Sequence, residues 1–223
     1  MVKVITSIRR KPGMAVDEFQ RYWREQHPAV VTALPGIRRY VQSHVLPTGY
    51  RKGDPPWDGI AEVWADDTDA LRAMTRSAAN LAVQADEARF IDRASMGLIV
   101  TEEHTVLDGP AGPEAVKGIE FLSRRPDLSV EAFQEHWRTR HASILAKIPG
   151  LTRCVLSLTR RSAYTAGRAP IYDGVTLMWF ASPEALRGAA ASTSYADAVA
   201  DRPAFLASSM PPFIVTHEHV IVG

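Results

Sequence analysis

The sequence predicts an α+β protein built from one βαββαβ unit written twice. Three observations carry that prediction: a long self-similarity at constant offset, a Gly/Pro-rich joint between the copies, and the same succession of apolar periodicities in each copy. Repeats are sought first because they decide the architecture. FQRYWREQH at 19–27 returns as FQEHWRTRH at 133–141, with His141 standing 114 positions after His27 (141 minus 27). The same offset pairs Ile5 with Ile119, Pro12 with Pro126, Phe19 with Phe133, Trp23 with Trp137 and Gly36 with Gly150. Further on it becomes 115 (173 minus 58), pairing Asp58 with Asp173, Gly59 with Gly174, Trp64 with Trp179 and Phe90 with Phe205. One residue inserted in the loop after the second strand accounts for the change. The joint is LDGPAGPE at 107–114. It separates repeats assigned to 1–108 and 116–223, each about 110 residues and so the size of one small domain.

Each copy reads the same way along the chain. A short apolar strand comes first, Val2 to Ile8 and Val116 to Leu122, followed by a Pro-containing turn. A helix follows from about Val16 and from about Val130, where Ser129 is placed to cap the free amides. Leu-Pro-Gly or Ile-Pro-Gly ends it. The second strand alternates, with Ile37, Arg39 and Val41 on one side and Arg38, Tyr40, Gln42 and His44 on the other. After a Gly/Pro-rich loop, Asp-Gly opens a third strand (Gly59 to Trp64; Gly174 to Phe180). Ala-rich helical sequence runs from about Thr68 to Arg93 and from about Pro183 to Leu206, and a β-branched strand closes each copy (Leu98 to Val106; Phe213 to Ile221). The order is that of the ferredoxin-like split-βαβ unit, with four antiparallel strands and both helices on one face. Its other face cannot stay bare in water. The expected solution is two sheets packed face to face, a pseudo-dimeric α+β barrel from one polypeptide.

Composition narrows the function. A net charge of +1 offers no basic field for nucleic acid or an anionic membrane. Nothing approaches the ~20 apolar residues of a membrane span, and the N-terminal MVKVITSIRRKPG has no signal-peptide core or cleavage site. The one cysteine, Cys154, excludes an intrachain disulfide framework and a cysteine-rich zinc site, and a free thiol suits a reducing, cytoplasmic setting. His217 and His219 share one face of the last strand near Glu218, but strand-end histidines are usually solvated, so no metal site is expected. No P-loop, dinucleotide fingerprint, H-E-x-x-H or nucleophile elbow occurs, and no cofactor is expected.

The pattern F-x-x-x-W-x-x-x-H followed by Pro-Gly and a strand resembles the EthD family of dimeric α/β-barrel proteins. Phe19, Trp23, His27, Pro35, Gly36 and Tyr40 carry the likeness in the first copy. Phe133, Trp137, His141, Pro149 and Gly150 carry it in the second, with Cys154 at the tyrosine position. Proteins of this architecture include methylmuconolactone isomerases, polyketide cyclases and dehydratases, and cofactor-free quinone-forming monooxygenases. The resemblance implies a ligand pocket between the sheet and its covering helices or partner sheet. In isomerase-like members the helix-end histidine and the next strand's tyrosine line it. A monomer acting as pseudo-dimer, or a homodimer, is implied.

The two copies control for each other, since fold requirements act on both while a single pocket need not. Tyr40, Gln42 and His44 are matched by Cys154, Leu156 and Leu158, and Glu62 by Leu177, while Val41/Val155, Ser43/Ser157 and Gly36/Gly150 hold steady. Burying a polar group costs about 1–3 kcal/mol unless it is hydrogen-bonded. The first copy therefore either satisfies this set internally or uses it on a ligand. One exchange runs the other way, Thr6 against Glu120, leaving the role of Glu120 open. Pro28 after His27 disfavours helical geometry there, whereas Ala142 follows His141, so the two imidazoles are expected to aim differently. The Trp residues recur at 23, 64, 137 and 179 and read as core, with Trp23 also able to flank a pocket.

These readings converge on one working pocket, in the first copy, for a small hydrophobic aromatic, lactone or polyketide-like molecule. The expected chemistry is cofactor-independent proton transfer: isomerisation, dehydration or cyclisation. His27 is the candidate base or acid. Tyr40 is the hydrogen-bonding partner of a carbonyl or enolate, His44 a proton relay, and Gln42, Glu62, Trp23 and Glu120 candidate binding residues. Two rivals stand beside it: a cofactor-free monooxygenase on an electron-rich aromatic, and a ligand-binding accessory protein without catalysis.

Overall fold

The computed structural model describes residues 1–165 and 169–223. The first copy supplies β1 (Val2–Ile8), α1 (Val16–Glu25), α2 (Pro28–Val31), β2 (Arg39–Val45), β3 (Gly59–Ala65), α3 (Thr68–Arg76), α4 (Ala78–Phe90) and β4 (Gly97–Asp108). The second supplies β5 (Val116–Leu122), α5 (Val130–His136), α6 (Ala142–Leu145), β6 (Leu151–Thr159), β7 (Gly174–Phe180), α7 (Pro183–Ala190), α8 (Thr193–Asp201) and β8 (Phe213–Val222). Hydrogen bonding places β3 between β1 and β2 in one antiparallel sheet and orders β8-β5-β7-β6-β4 in the other. The chain divides into two compact units, 1–100 with 217–223 and 101–216. Strands β4 and β8 therefore each contribute to both units. Among the described residues no helix is long and apolar enough to cross a membrane.

In the first unit β3 lies between β1 and β2, both antiparallel to it, with Ile5 opposite Glu62 and Tyr40 opposite Val63. The second unit repeats this with β7 between β5 and β6. Helix α1 buries Phe19 and Trp23, and these pack with Ile8, Phe90 and Ile91. A second cluster gathers Val2, Val31, Leu34, Tyr40, Met74 and Val83.

The helical stretch expected from Thr68 to Arg93 is two helices. Ser77 takes extended geometry and its hydroxyl accepts the Asn80 amide at 3.2 Å, capping α4 where α3 ends. Ser192 does the same between α7 and α8, accepting from Tyr195 at 3.2 Å. The Ser side chain competes with helix continuation and wins at a cap. Ser129 caps α5 as expected, accepting from Ala132 at 3.1 Å.

Some pairings are fixtures of both copies and belong to the fold. Asp58 accepts the Arg10 amide and the Tyr50 hydroxyl, both at 2.8 Å. Asp173 accepts the Arg124 amide at 2.8 Å and the Tyr164 hydroxyl at 2.7 Å. Gly36 and Gly150 turn the chain after the helices with φ of 75° and 74°, a region glycine enters without strain. Gly59 lies directly under the Trp23 ring, where an added Cβ would come within 2.3 Å of it, and Gly174 lies likewise under Trp137 at 2.4 Å. Gly59→Ala is therefore expected to destabilise by about 1–3 kcal/mol through overpacking. Gly112→Ala, in open space, should leave Tm unchanged; a thermal melt of the two variants checks this.

Candidate functional site

The first unit holds a cavity of about 330 Å³ between its sheet and its helices, within the size range of small-molecule sites. Its wall is mostly apolar: Val4 and Ile8 from β1, Ala61 and Val63 from β3, Val31, Met74 and Val83 from the helices, and Leu34 from the turn after α2. Polar groups reach it from Thr6, Trp23, His27, Tyr40 and Glu87, with Thr68, Arg72, Thr75 and Asn80 also lining it. Helix periodicity delivers Trp23 and His27 from one stripe, and strand alternation delivers Tyr40 from the side facing them.

His27 is buried, and its Nδ1 lies 2.8 Å from Asp86 Oδ2. The other Asp86 oxygen accepts the Tyr22 hydroxyl at 2.6 Å. Burial lifts the Asp86 pKa, but the hydrogen bonds from Tyr22 and His27 and the charge of Arg89 outweigh it and hold the group below the usual carboxylate range. Burial depresses His27 below the usual imidazole value against the pull of Asp86. The consistent state is a neutral imidazole donating Nδ1–H to an ionised Asp86, which makes Nε2 the ring nitrogen with a lone pair for the cavity.

Tyr40 is fully enclosed, and its oxygen accepts two hydrogen bonds, from Trp23 Nε1 at 3.1 Å and from Gln42 Nε2 at 3.0 Å. The Gln42 orientation follows from its second bond, Nε2 to the Trp23 carbonyl at 2.8 Å, since a carbonyl only accepts. Its Oε1 then faces His44 Nε2 at 3.0 Å, which must be the protonated nitrogen. Trp23 and Gln42 both donate to the Tyr40 oxygen, so the phenol hydrogen is directed away from these two groups. Burial raises the Tyr40 pKa well above the usual phenol value, against the Gln42 and Trp23 bonds, and keeps that hydrogen in place.

The other expected site residues lie elsewhere. His44 does not line the cavity; it stacks on Trp23 with ring centroids 4.3 Å apart and meets His219 edge-on at 4.8 Å. Burial, then the nearness of His219 and Arg24, push its pKa down to about 3, which removes it as a proton relay near neutral pH. Gln42 stands behind Tyr40 and aims it. Glu62 corrects the grouping made from sequence: it is opposite Ile5 and Val41 in register, hence on the other sheet face, and it pairs with Lys3 Nζ at 3.2 Å. Glu120 belongs to the second unit and forms a buried ion pair with Arg202. His27 also corrects its expectation. It keeps helical geometry (φ −61°, ψ −32°) despite Pro28, because proline suits the first position of the short α2. His141 aims the same way, with Nδ1 3.0 Å from Asp201.

The second copy shows what remains when the polar set is replaced. The His–Asp pair persists as His141 and Asp201, and Asp201 also takes His136 and Arg140, both at 2.9 Å. Trp137 Nε1, buried like its counterpart Trp23, has no hydrogen-bond partner among the described residues, because Cys154 stands where Tyr40 would accept. Glu120 and Arg202, which occupy the positions of Thr6 and Glu87, bond each other, and Arg202 also bonds the Ser209 carbonyl at 3.0 Å.

Two residues escaped the sequence reading, Asp86 and Glu87. The signal existed: Asp86 stands four residues before Phe90 and Asp201 four before Phe205, at the offset already established. Among the described residues no group of three His, Cys, Asp or Glu side chains is arranged to hold a metal ion.

Comparison with solved structures places the fold. An anthrone oxidase-like protein superposes with a TM-score of 0.65 at 12% identity, over 99% of this chain and 92% of that one. A protein of Fusobacterium nucleatum subsp. nucleatum, named as a proposed monooxygenase, gives 0.61 at 8% identity over 99% and 92%. An ethyl tert-butyl ether d (EthD) family protein of Bacillus halodurans C-125 is 22% identical over 47% of this chain and 99% of that one, with a TM-score of 0.39. At these identities the likeness concerns the fold alone. Among proteins of curated function none matches significantly. The model of the EthD domain matches twice, over residues 11–94 and 125–209. With both copies matched over most of its length, the chain belongs to the EthD domain family.

Proposed function

We propose that the first repeat, residues 1–108, is a cofactor-independent proton-transfer site for a small apolar carbonyl compound such as an unsaturated lactone or polyketide-like ring. The second repeat, residues 116–223, is its companion, in which Cys154, Leu156 and Leu158 take the place of the polar set. The observation that carries the reading is the double hydrogen bond into the Tyr40 oxygen. It leaves one phenol hydrogen to offer a ligand in the cavity. Such a preorganised donor stabilises an oxygen that gains charge as an enolate forms. His27 Nε2 is the base that takes the carbon-bound proton, and Asp86 holds the imidazole in the required tautomer and balances the charge it acquires. The apolar wall excludes water and strengthens both interactions.

The test uses α-angelica lactone in deuterium oxide, followed by NMR. The wild-type protein is expected to exchange the C3 hydrogens faster than buffer does, and His27→Gln to lose the catalysed exchange. Tyr40→Phe should retain part of it, since the base remains while the oxygen donor is gone. Exchange that survives His27→Gln at the wild-type rate refutes the assignment. Tight ligand binding without exchange favours the accessory-protein reading, and oxygen uptake with an electron-rich phenol favours a cofactor-free monooxygenase. A reducing compartment such as the cytoplasm suits the single buried thiol of Cys154.

A further inference from the structure

Glu87 is a wall residue of the cavity that the scheme above leaves unused. It sits on α4 beside Asp86, its side chain is 17% exposed, and the cation it meets, Arg93, is 3.9 Å away. Asp86 is engaged by Tyr22 and His27, whereas among the described residues Glu87 has no comparably short bond. The companion repeat sharpens this. There Arg202 replaces Glu87 and Glu120 replaces Thr6, so a carboxylate at this wall comes with an arginine bonded to it. In the first repeat the carboxyl group has only the longer 3.9 Å contact to the half-exposed Arg93, and it lines the same cavity as the small Thr6.

From this geometry we infer that Glu87 is the proton donor of the cavity, and that the molecule served loses a proton to His27 at one carbon and takes one from Glu87 at another atom of the same conjugated system. The inference rests on the proton-transfer reading and narrows the substrate class to carbonyl compounds with a double bond or leaving hydroxyl one carbon further out. For a β,γ-unsaturated lactone the α C–H bond breaks and its proton goes to His27 Nε2. The electron pair enters an enolate whose oxygen the Tyr40 hydrogen holds. The pair then forms a C–H bond at the γ carbon with the proton of Glu87. His27 ends protonated and Glu87 ionised, and proton return through solvent resets both, so no oxidant or reductant is involved. Burial raises the Glu87 pKa, with Arg93 opposing and Asp86 assisting, which favours the protonated form a donor needs.

Glu87→Gln keeps the size and neutrality of the group and removes its acidic proton. With α-angelica lactone, the wild type is expected to form the β-isomer, read by its ultraviolet absorbance. Glu87→Gln is expected to form it ~10²-fold or more slowly, to lose far less of its C3 exchange than of its isomerisation, and to melt at the wild-type temperature. A purely structural role would lower both rates together with Tm. Glu87→Gln isomerising at the wild-type rate overturns the inference and leaves the His27 reading intact, as does a wild type that exchanges C3 but forms no isomer. A wild type that does neither overturns the proton-transfer reading itself, and this inference with it.

Discussion

Asp86→Asn is expected to slow the His27-dependent exchange by ~10²–10⁴-fold, while Asp201→Asn leaves it unchanged. The reason lies in what each Asp86 oxygen does. Oδ1 accepts the Tyr22 hydroxyl and Oδ2 faces His27 Nδ1. An amide accepts at one of those positions and donates at the other. If the NH₂ faces His27, the imidazole shifts its proton to Nε2 and the base is lost. If it faces Tyr22, the charge that balances an imidazolium is still gone. Asp201 makes the same kind of contact to His141, so both variants should lose comparable stability, on the order of 1–3 kcal/mol for a disturbed buried partner. Only the first should lose exchange. Equal exchange rates in the two variants would place catalysis outside this cavity.

Acid should destabilise this protein well above the usual carboxylate range. His44 and His141 are buried neutral, with burial the main cause, and their pKa values are pushed down to about 3 and to about 4. An unfolded histidine titrates at ~6.5. Because the folded values are lowered, the contribution is complete above pH ~6.5. It is lost as pH falls from there toward the folded values, where the unfolded chain binds protons the native state refuses. At pH 5 each site gives up about 2 kcal/mol, from ~1.4 kcal/mol per pH unit below 6.5. For a chain of this size the pair lowers Tm by roughly 8–16 °C. His27, also lowered by burial, adds in the same direction. Calorimetric melts from pH 8 to pH 5 check this: a flat Tm to about 6.5 and then a steep fall. His141→Gln should make the fall shallower. A Tm level down to pH 5 would mean that these imidazoles charge freely in the folded state.

Much of the fold is legible without coordinates because it is written twice. Phe19, Trp23 and His27 recur with their counterparts, and the glycines under the two tryptophans recur with them, since each serves packing that both copies need. Strand bounds are legible for the same reason, alternation being a property of neighbouring residues. The breaks at Ser77 and Ser192 are less so. A serine inside Ala-rich sequence reads as helix until its hydroxyl is seen capping the next one. The site was half legible. His27 and Tyr40 both line the cavity, and the contrast of Tyr40, Gln42 and His44 with Cys154 and two leucines points to the copy that holds it. Glu62 misled, because the contrast with Leu177 reports only that a polar group was exchanged. Which sheet face it occupies depends on the register of β3 against β1 and β2.

The sequence by itself determined the duplication, the order of elements and the stripe that carries His27, all of which are periodicities along the chain. Only the tertiary structure decided that Asp86 lies against His27 Nδ1, that Gln42 and Trp23 both donate to the Tyr40 oxygen, and that Glu87 lines the cavity. Those are relations between side chains that are far apart in number and a few ångströms apart in space. Hydrogen bonds of fixed direction, formed where water is absent, settle them, and no local pattern encodes where they will be.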